Sequence, residues 1–307
     1  MDDQILITTS SPHIHSGESV QGIMFNVAGA LLLPTAAGVY FFGIRALALV
    51  IVASIAAILT EAVFQKLRNK PIAVWDGSAL VTGMLLALNL PPGIPMWMAV
   101  VGSAVAIALG KQIYGGLGNN PFNPALIGRV FLMIAFPVHM TTWINPVDGT
   151  TGATPLALMK MQGVSTDYAK LFIGNIGGCI GETSAVLIII GGLYLLYKGY
   201  IEWRIPTFYL GTVAVMSLIL GRDPIFNLLT GGLMLGAFFM ATDMVTSPIS
   251  KKGKIIFGIG AGFFTALIRF YGGYPEGVSF AILLMNAFTP VINRFTVPKI
   301  YGEVKAR

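Results

Sequence analysis

A hydroxyl-rich segment, Asp148–Pro155, holds the residues whose types and spacing best suit chemistry. Small residues flank Thr154, and Gly149 and Gly152 allow a tight backbone, which predicts a sterically open hydroxyl. A threonine hydroxyl is a weak nucleophile, so its covalent modification would need an enzyme. From composition and spacing alone, a turn of Gly, Thr and Asp is the simpler interpretation.

Three carboxylates at or near the ends of apolar runs, Glu61, Glu182 and Asp243, are candidates for a cation path. An ionisable side chain inside a bilayer costs about 2.5–3.5 kcal/mol on insertion scales, so it needs a partner or a watery path. The alternative is an interfacial carboxylate that caps a helix or is solvated.

Other polar residues have structural interpretations that compete with functional ones. Arg129 lies one to two turns into an apolar run and must be paired or face a cavity, with Glu182 as one possible partner. Asp76 and Asp223 each precede a short apolar run and are predicted to cap its helix.

The composition requires a membrane protein. Of 307 residues, 55% are hydrophobic and 10% are charged, with a mean hydropathy of +0.78, whereas soluble domains carry about 25% charged residues. A helical span needs roughly 20 apolar residues. Two of the apolar runs, 77–91 and 224–241, are short and interrupted. The ten runs lie near 20–43, 45–65, 77–91, 95–113, 124–139, 181–198, 206–221, 224–241, 254–271 and 277–293.

The distribution of Lys and Arg predicts the orientation. With the N-terminus in the cytoplasm, thirteen of these residues, Lys111 among them, fall on the inner side, and six fall on the outer side or in spans. Both termini are therefore expected in the cytoplasm. The predicted divisions are a cytoplasmic tail 1–19, a first membrane repeat 20–139, an extracytoplasmic loop 140–180, a second membrane repeat 181–296 and a cytoplasmic tail 297–307.

The two halves of the chain resemble each other. The segment that begins at Asp76 is echoed from Asp223, and Lys111-Gln-Ile-Tyr-Gly-Gly is echoed by Arg269-Phe-Tyr-Gly-Gly. Five spans in each half would give the repeats opposite orientations, an arrangement typical of transporter-like folds. The predicted fold is an all-α integral membrane protein of about ten transmembrane helices, in two inverted five-helix repeats with short broken helices. Chance likeness of glycine-rich apolar segments is the alternative.

Composition also excludes several kinds of site. Cys179 is the only cysteine, so neither an intramolecular disulfide nor a four-thiolate iron–sulfur cluster can form within the chain. The three histidines form no metal-binding pattern, and no metal site is predicted. Basic residues lie between apolar runs, not on one face, so no nucleic-acid partner is expected.

Asp148, Thr151, Gly152, Ala153 and Thr154 match the flavinylation motif Asp-x-x-Ser/Thr-Gly-Ala-Thr, in which a flavin transferase esterifies FMN phosphate to the last threonine. The whole chain resembles the RnfD family, the D component of the Rnf complex, which is homologous to the NqrB component of the sodium-pumping NADH:quinone reductase. One residue departs from this pattern, because Met244 stands where proline is expected. The supporting segments are Asn119–Ala125, Gly181–Ser184 and Ala241–Pro248.

The resemblance implies a membrane subunit of a ferredoxin:NAD⁺ oxidoreductase that couples redox chemistry to Na⁺ or H⁺ translocation and is not catalytic alone. It implies FMN on Thr154, on the outer side of the inner (cytoplasmic) membrane, with Arg129 as a possible partner of the flavin phosphate. It also implies a second, non-covalent flavin (riboflavin). The implied partners are the other Rnf components (A, B, C, E and G), a flavin transferase, membrane lipid, and ferredoxin and NAD⁺ through those components.

Two other functions remain open on the sequence. The inverted repeat would equally suit a solute channel or transporter of the urea- or ammonium-permease type. A passive membrane scaffold in a larger complex is the second alternative. The first predicts solute flux and no flavin, and the second predicts that Thr154→Val leaves electron transfer intact.

Overall fold

The computed structural model describes residues 17–146, 149–163, 166–273 and 277–298. Two blocks of apolar helices follow each other along the chain. In the first block a 3-10 turn, Val74–Asp76, precedes the third helix, and the fourth continues as the π-helical turn Ala108–Gln112. The five helices are α1 (Val20–Phe42), α2 (Ile44–Leu67), α3 (Ser78–Leu88), α4 (Met96–Ile107) and α5 (Pro124–Ala135).

Short elements separate the two blocks. The two strands pair antiparallel, with Trp143 opposite Gly152 and Ile144 opposite Thr151. A 3-10 turn, Ile180–Glu182, leads into the second block. The elements are α6 (Pro137–Met140), β1 (Trp143–Ile144), β2 (Thr151–Gly152), α7 (Pro155–Gln162) and α8 (Tyr168–Ile173).

The second block contains a helical segment that is broken between residues 229 and 233. The short helix after this break, Leu233–Leu235, continues as the π-helical turn Gly236–Met240. The helices are α9 (Ala185–Tyr197), α10 (Arg204–Ile219), α11 (Pro224–Leu229), α12 (Leu233–Leu235), α13 (Lys251–Tyr271) and α14 (Val278–Thr296). Each of the ten predicted apolar runs overlaps one or more of the described helices.

The predicted interruption of the run 224–241 is confirmed, and two glycines produce it. Gly231 and Gly232, between α11 and α12, have φ of 67° and 65°, a left-handed conformation that costs other residues roughly 1–2 kcal/mol. A Cβ on Gly232 would lie 2.6 Å from Glu182 Oε1. The break therefore brings the main chain directly against a buried carboxylate.

The prediction that the run 77–91 is interrupted is wrong. Its helix α3 is short but continuous from Ser78 to Leu88. Gly83 in its middle serves close packing, because a Cβ there would lie 2.5 Å from Ser54 Cα on α2. The run 124–139 instead ends early, since Phe136 leaves the helical conformation just before Pro137.

The two blocks pack in a similar order around one continuous core. In the first, α2 packs on α3 and α4, and α4 packs on α5; in the second, α10 packs on α11 and α13, and α13 packs on α14. Contacts of α1 with α9 and of α5 with α14 join the blocks.

Within the described residues, four helices of 19–24 residues are long and apolar enough to cross a membrane: α1, α2, α13 and α14. The described part of the chain also holds shorter apolar helices, among them α3, α9 and α10. Many large apolar side chains are exposed on the helix surfaces, as lipid contact requires. The predominantly helical, multi-pass membrane character predicted from composition is thus confirmed.

Candidate functional sites

Thr154 begins α7. Its φ and ψ of −64° and 156° are extended, and its Oγ1 accepts a hydrogen bond from the Ala157 N–H at 3.2 Å. Pro155 occupies the first helical position, where a missing N–H does no harm. The candidate hydroxyl is therefore the N-cap of a helix.

The hydroxyl is less open than its small neighbours indicate. Thr154 is only 3% exposed, whereas Thr151, Gly152 and Ala153 beside it are exposed. The expectation of a sterically open hydroxyl is wrong for the unmodified chain, because capping α7 turns Oγ1 toward the helix. Asp148, the first residue of the motif, lies outside the described residues.

A cavity of about 50 Å³ lies beside α7. Lys160 of α7, Arg222 and Asp223 before α11, and Arg269 near the end of α13 line it. Arg269 is 2% exposed and donates hydrogen bonds to main-chain carbonyls at the end of α11 and the following break. The accepting oxygens belong to Asn227 at 2.6 Å, Thr230 at 2.8 Å and Gly231 at 2.9 Å.

Arg129 lies in a buried polar network between the two blocks. Its Nη1 donates to Asn89 Oδ1 at 2.6 Å, and its Nη2 lies 3.9 Å from Glu182 Oε1. Cys179 completes the network, because its Sγ lies 3.7 Å from Arg129 Nη2 and donates to Asn89 O at 3.2 Å. Glu182, which the sequence indicated as one possible partner of Arg129, thus lies beside it. A contact between Arg129 and a flavin phosphate stays a prediction.

Glu61 is 1% exposed and pairs with a buried lysine. Lys111 Nζ donates to Oε1 and Oε2 of Glu61 at 2.7 Å and 2.8 Å, and to Ser78 Oγ at 2.5 Å. Gln112 and Gln65 donate to Glu61 Oε1 at 2.9 Å and 3.3 Å. Such a pair is tolerated in a membrane because each charge has its partner.

The cap predicted for α11 is confirmed at Asp223, whereas the N-cap position of α3 is held by Gly77 and not by Asp76. Asp76 Oδ1 accepts hydrogen bonds from the Ser78 N–H at 2.9 Å and the Ser78 hydroxyl at 2.6 Å. Asp223 Oδ1 accepts from the Ile225 and Phe226 N–H groups at 2.9 Å and 3.3 Å. Both carboxylates neutralise free amides at a helix N-terminus.

A cavity of about 90 Å³, here named the inner cavity, is built by both blocks. Its charged lining residues are Lys111 of the first block and Asp243 of the second. Asn120 and Asn123 also line it, although sequence reasoning assigned them no common site with Asp243. Its other walls include Met24, Ser78, Thr82, Leu117, Phe238, Phe239, Thr242 and Met244.

Asp243 is half-buried. This burial raises the pKa of Asp243, against hydrogen bonds from the Val245 N–H and the Thr246 hydroxyl that lower it. The Val245 N–H lies 3.2 Å from Oδ1 and the Thr246 Oγ1 lies 3.2 Å from Oδ2. Asp243 therefore takes up a proton more readily than an exposed aspartate.

Lys111 is the functional candidate that sequence reasoning missed. Counting it as an inner-loop charge was wrong, because it is 1% exposed and lies within helical structure that continues α4. A signal was present, since this lysine falls inside the apolar run 95–113 and an ionisable residue there requires a partner. Which carboxylate would meet it could not be read from the order of residues.

Comparisons with known proteins agree along the whole chain. A family model described as the NQR2, RnfD, RnfE family matches residues 7–302. The chain is 54% identical to the D component of the Na(+)-translocating ferredoxin:NAD(+) oxidoreductase complex of Acetobacterium woodii, with 100% of this chain and 98% of the relative covered.

Two further relatives carry related names. The D component of the proton-translocating ferredoxin:NAD(+) oxidoreductase complex of Clostridium ljungdahlii is 50% identical, with 97% of this chain and 96% of the relative covered. The D component of the ion-translocating oxidoreductase complex of Citrobacter koseri is 38% identical, with 96% and 98% covered. The resemblance drawn from the motif and the supporting segments is confirmed, and the chain belongs to the NQR2, RnfD, RnfE family.

Proposed function

We propose that the chain is the D-type membrane component of a ferredoxin:NAD⁺ oxidoreductase complex that couples electron transfer to the translocation of Na⁺ or H⁺. The observation that carries this proposal is the full-length identity of 54% and 50% to two proteins with such names. Because one of these is named for Na⁺ and the other for protons, the proposal leaves the ion open. Ferredoxin and NAD⁺ would react at partner proteins of the complex.

We infer that Thr154 carries FMN through a phosphoester. A flavin accepts electrons singly or in pairs, so it would link one-electron and two-electron carriers. The residues fit the phosphate, because Thr154 stands at the N-terminus of α7, where amides and the helix dipole favour an anion. Lys160 and Arg222 add positive charge in the cavity beside that helix.

Attachment of FMN to Thr154 Oγ1 must displace the hydrogen bond by which this oxygen caps α7. The exposed residues Thr151, Gly152 and Ala153 offer a flavin transferase its access, while Thr154 itself is buried. The transferase would therefore act while the start of α7 is open, and a phosphate oxygen could afterwards accept the Ala157 N–H in place of Oγ1.

In-gel flavin fluorescence after denaturation tests the covalent flavin. The wild-type chain, co-expressed with a flavin transferase, should fluoresce, and Thr154→Val should be dark. Thr150→Val is the matched control, because it removes a hydroxyl at an unspecified position of the motif and should stay fluorescent. Full fluorescence of Thr154→Val, or an unmodified wild-type peptide by mass spectrometry, would contradict the proposal. Solute flux by a flavin-free chain would then favour a permease.

We infer that the second flavin, a non-covalent riboflavin, binds at the inner cavity. Phe238 and Phe239 offer apolar walls, and the Asn120 amide and the Thr82 hydroxyl offer hydrogen bonds to ring heteroatoms. The cavity of about 90 Å³ cannot enclose a whole flavin. Binding would therefore displace flexible wall side chains such as Met244.

Acid extraction of the purified complex measures this second flavin separately from FMN, which stays on the chain. We expect riboflavin in the extract of wild type and of Thr154→Val. Asn120→Leu should lower the extracted riboflavin several-fold and leave in-gel fluorescence unchanged. Equal riboflavin in Asn120→Leu and wild type would place the flavin elsewhere.

The proposed architecture is two inverted five-helix repeats, 20–139 and 181–296, with both termini in the cytoplasm and 140–180 outside the inner membrane. The matching packing order of the two blocks supports it. The proposed partners are the other components of the complex (A, B, C, E and G), the transferase and lipid. Glu61, Asp243 and Glu182 are the proposed ion-path residues, the first two at or behind the inner cavity.

A further inference from the structure

We propose that Lys111 is an exchangeable counter-charge that links the inner cavity to Glu61. Its ammonium pairs with Glu61 while the cavity carries no added charge. An electron delivered to the cavity adds one negative charge and draws the ammonium toward it, and Glu61 then binds one cation from solution. This inference rests on the proposed flavin at the inner cavity.

The position of the ammonium resembles that of a bound cation. Three oxygens surround Lys111 Nζ within 2.8 Å, namely both carboxylate oxygens of Glu61 and the Ser78 hydroxyl. Lys111 and Glu61 are each 1% exposed. Since the pair is neutral as a whole, any charge that enters its surroundings must be matched by another.

Lys111 is also the cationic residue of the described chain that lines the inner cavity. It therefore contacts the oxygens of Glu61 and Ser78 and also lines the cavity. A lysine has a flexible four-carbon stem with a compact charge, which suits movement between two positions. The π-helical turn that carries Lys111 is a geometry often found at functional sites.

Glu61 would keep enough oxygen ligands after the ammonium leaves. The amide of Gln112, which now donates to Glu61 Oε1, can turn its carbonyl oxygen toward a cation, whereas the Gln65 carbonyl oxygen accepts the Ala73 N–H and stays in place. Ser78 Oγ supplies a further oxygen, and oxygen ligands suit a hard cation. A proton on Glu61 would balance the same charge.

Asp76 connects this site toward the surface. It is partly exposed and accepts the Ser78 hydroxyl, which itself touches Lys111 Nζ. A cation that arrives at Asp76 would be one side chain away from Glu61. For each electron that reaches the inner cavity, one cation enters and binds Glu61. The movement of Lys111 adds no net charge.

The midpoint potential of the extractable flavin, titrated in the assembled complex against NaCl at fixed pH and against pH at fixed NaCl, tests the inference. In wild type the potential should rise with one of the two cations, toward about 59 mV per tenfold change for one cation per electron. The NaCl and pH arms distinguish Na⁺ from a proton. Because a flavin takes up protons of its own on reduction and Asp243 also lines the cavity, a proton on Glu61 would show as a steeper pH slope in wild type than in the variants. Lys111→Met and Glu61→Gln should each hold flavin but lose the NaCl dependence or this additional pH slope.

Lys198→Met is the matched control, since Lys198 is an exposed lysine at the end of α9, and it should behave as wild type. A wild-type potential that lacks NaCl dependence and has the same pH slope as Glu61→Gln, or a NaCl dependence that survives in Glu61→Gln, would overturn the inference. Absence of extractable flavin from wild type would instead show that the proposed second flavin fails. Glu61→Gln keeps the test decisive if Lys111→Met does not assemble.

Discussion

Lys111 and Arg269 stand near the ends of the fourth apolar runs of their blocks, and each is soon followed by a Tyr-Gly-Gly sequence. Both are buried, at 1% and 2% exposed. Lys111 binds a carboxylate and a hydroxyl, whereas Arg269 donates to three main-chain carbonyls where α11 ends. Similar sequence thus places a cation at similar points against different partners.

The difference follows from the helix that each cation meets. In the first block α3 is continuous, and the lysine reaches the hydroxyl of Ser78 at its start. In the second block the break after α11 leaves carbonyls without intrahelical partners, and a guanidinium with five N–H donors can hold several of them. The compact ammonium of a lysine suits movement between two partners. The planar guanidinium of an arginine suits fixed hydrogen bonds to the carbonyls of a broken helix.

The largest expected effect comes from separating the charge pair. Lys111→Met should lower the free energy of unfolding by about 3–5 kcal/mol, because it leaves the Glu61 carboxylate buried without its counter-charge. Lys111→Met combined with Glu61→Gln should recover most of that loss. SDS titration of the purified chain measures both. A double variant as unstable as the single one would show that the pairing is not the cause.

Arg269→Lys should destabilise the chain by about 1–3 kcal/mol, because an ammonium cannot hold the carbonyls of Asn227, Thr230 and Gly231 together. The same SDS titration applies. Lys160→Arg, at an exposed position of α7, should change little. Full stability of Arg269→Lys would mean that the planar fork is not needed at the break.

Gly232→Ala should cost about 1–2 kcal/mol, because the residue has a left-handed conformation and its Cβ would meet Glu182. Gly211→Ala is the matched control, since an added Cβ in α10 would meet nothing within 4 Å. The control should be neutral or slightly stabilising. Equal losses of stability at both positions would show that the break between α11 and α12 does not require glycine at position 232.

The smallest expected effect concerns the caps of the two short helices. Asp223→Ala should lower stability by about 1 kcal/mol, since Asp223 is the N-cap of α11. Asp76→Ala should cost less, because Asp76 precedes the cap position of α3. A thermal unfolding series on the two variants compares them. A larger loss at Asp76 would indicate that its bond to Ser78 stabilises the Lys111 pair.

Much of the fold could be predicted because apolar runs and caps are local signals. The positions of the ten runs, the cap at Asp223, and the break in 224–241 all depend on neighbouring residues, and the structure confirms them. The continuous α3 could not be predicted in the same way. Gly83 can break a helix or permit close packing, and the neighbouring helix α2 decides between these.

The candidate sites also differ in whether adjacent residues or distant contacts define them. The Thr154 motif is a string of adjacent residues and can be read from the sequence, but the burial of Thr154 and the capping of α7 by its hydroxyl are seen only in the folded chain. Glu61 and Lys111 are fifty positions apart. No local pattern could pair them.

By itself the sequence determined a helical membrane protein, the family, the motif at Thr154 and the need of each intramembrane charge for a partner. Hydropathy, caps and motifs act over a few residues, so the order of residues is enough to reveal them. Only the tertiary structure decided that Lys111 meets Glu61, that Arg129 meets Glu182, and that both blocks close one cavity around Lys111 and Asp243. These contacts join distant segments, and they depend on how the helices pack.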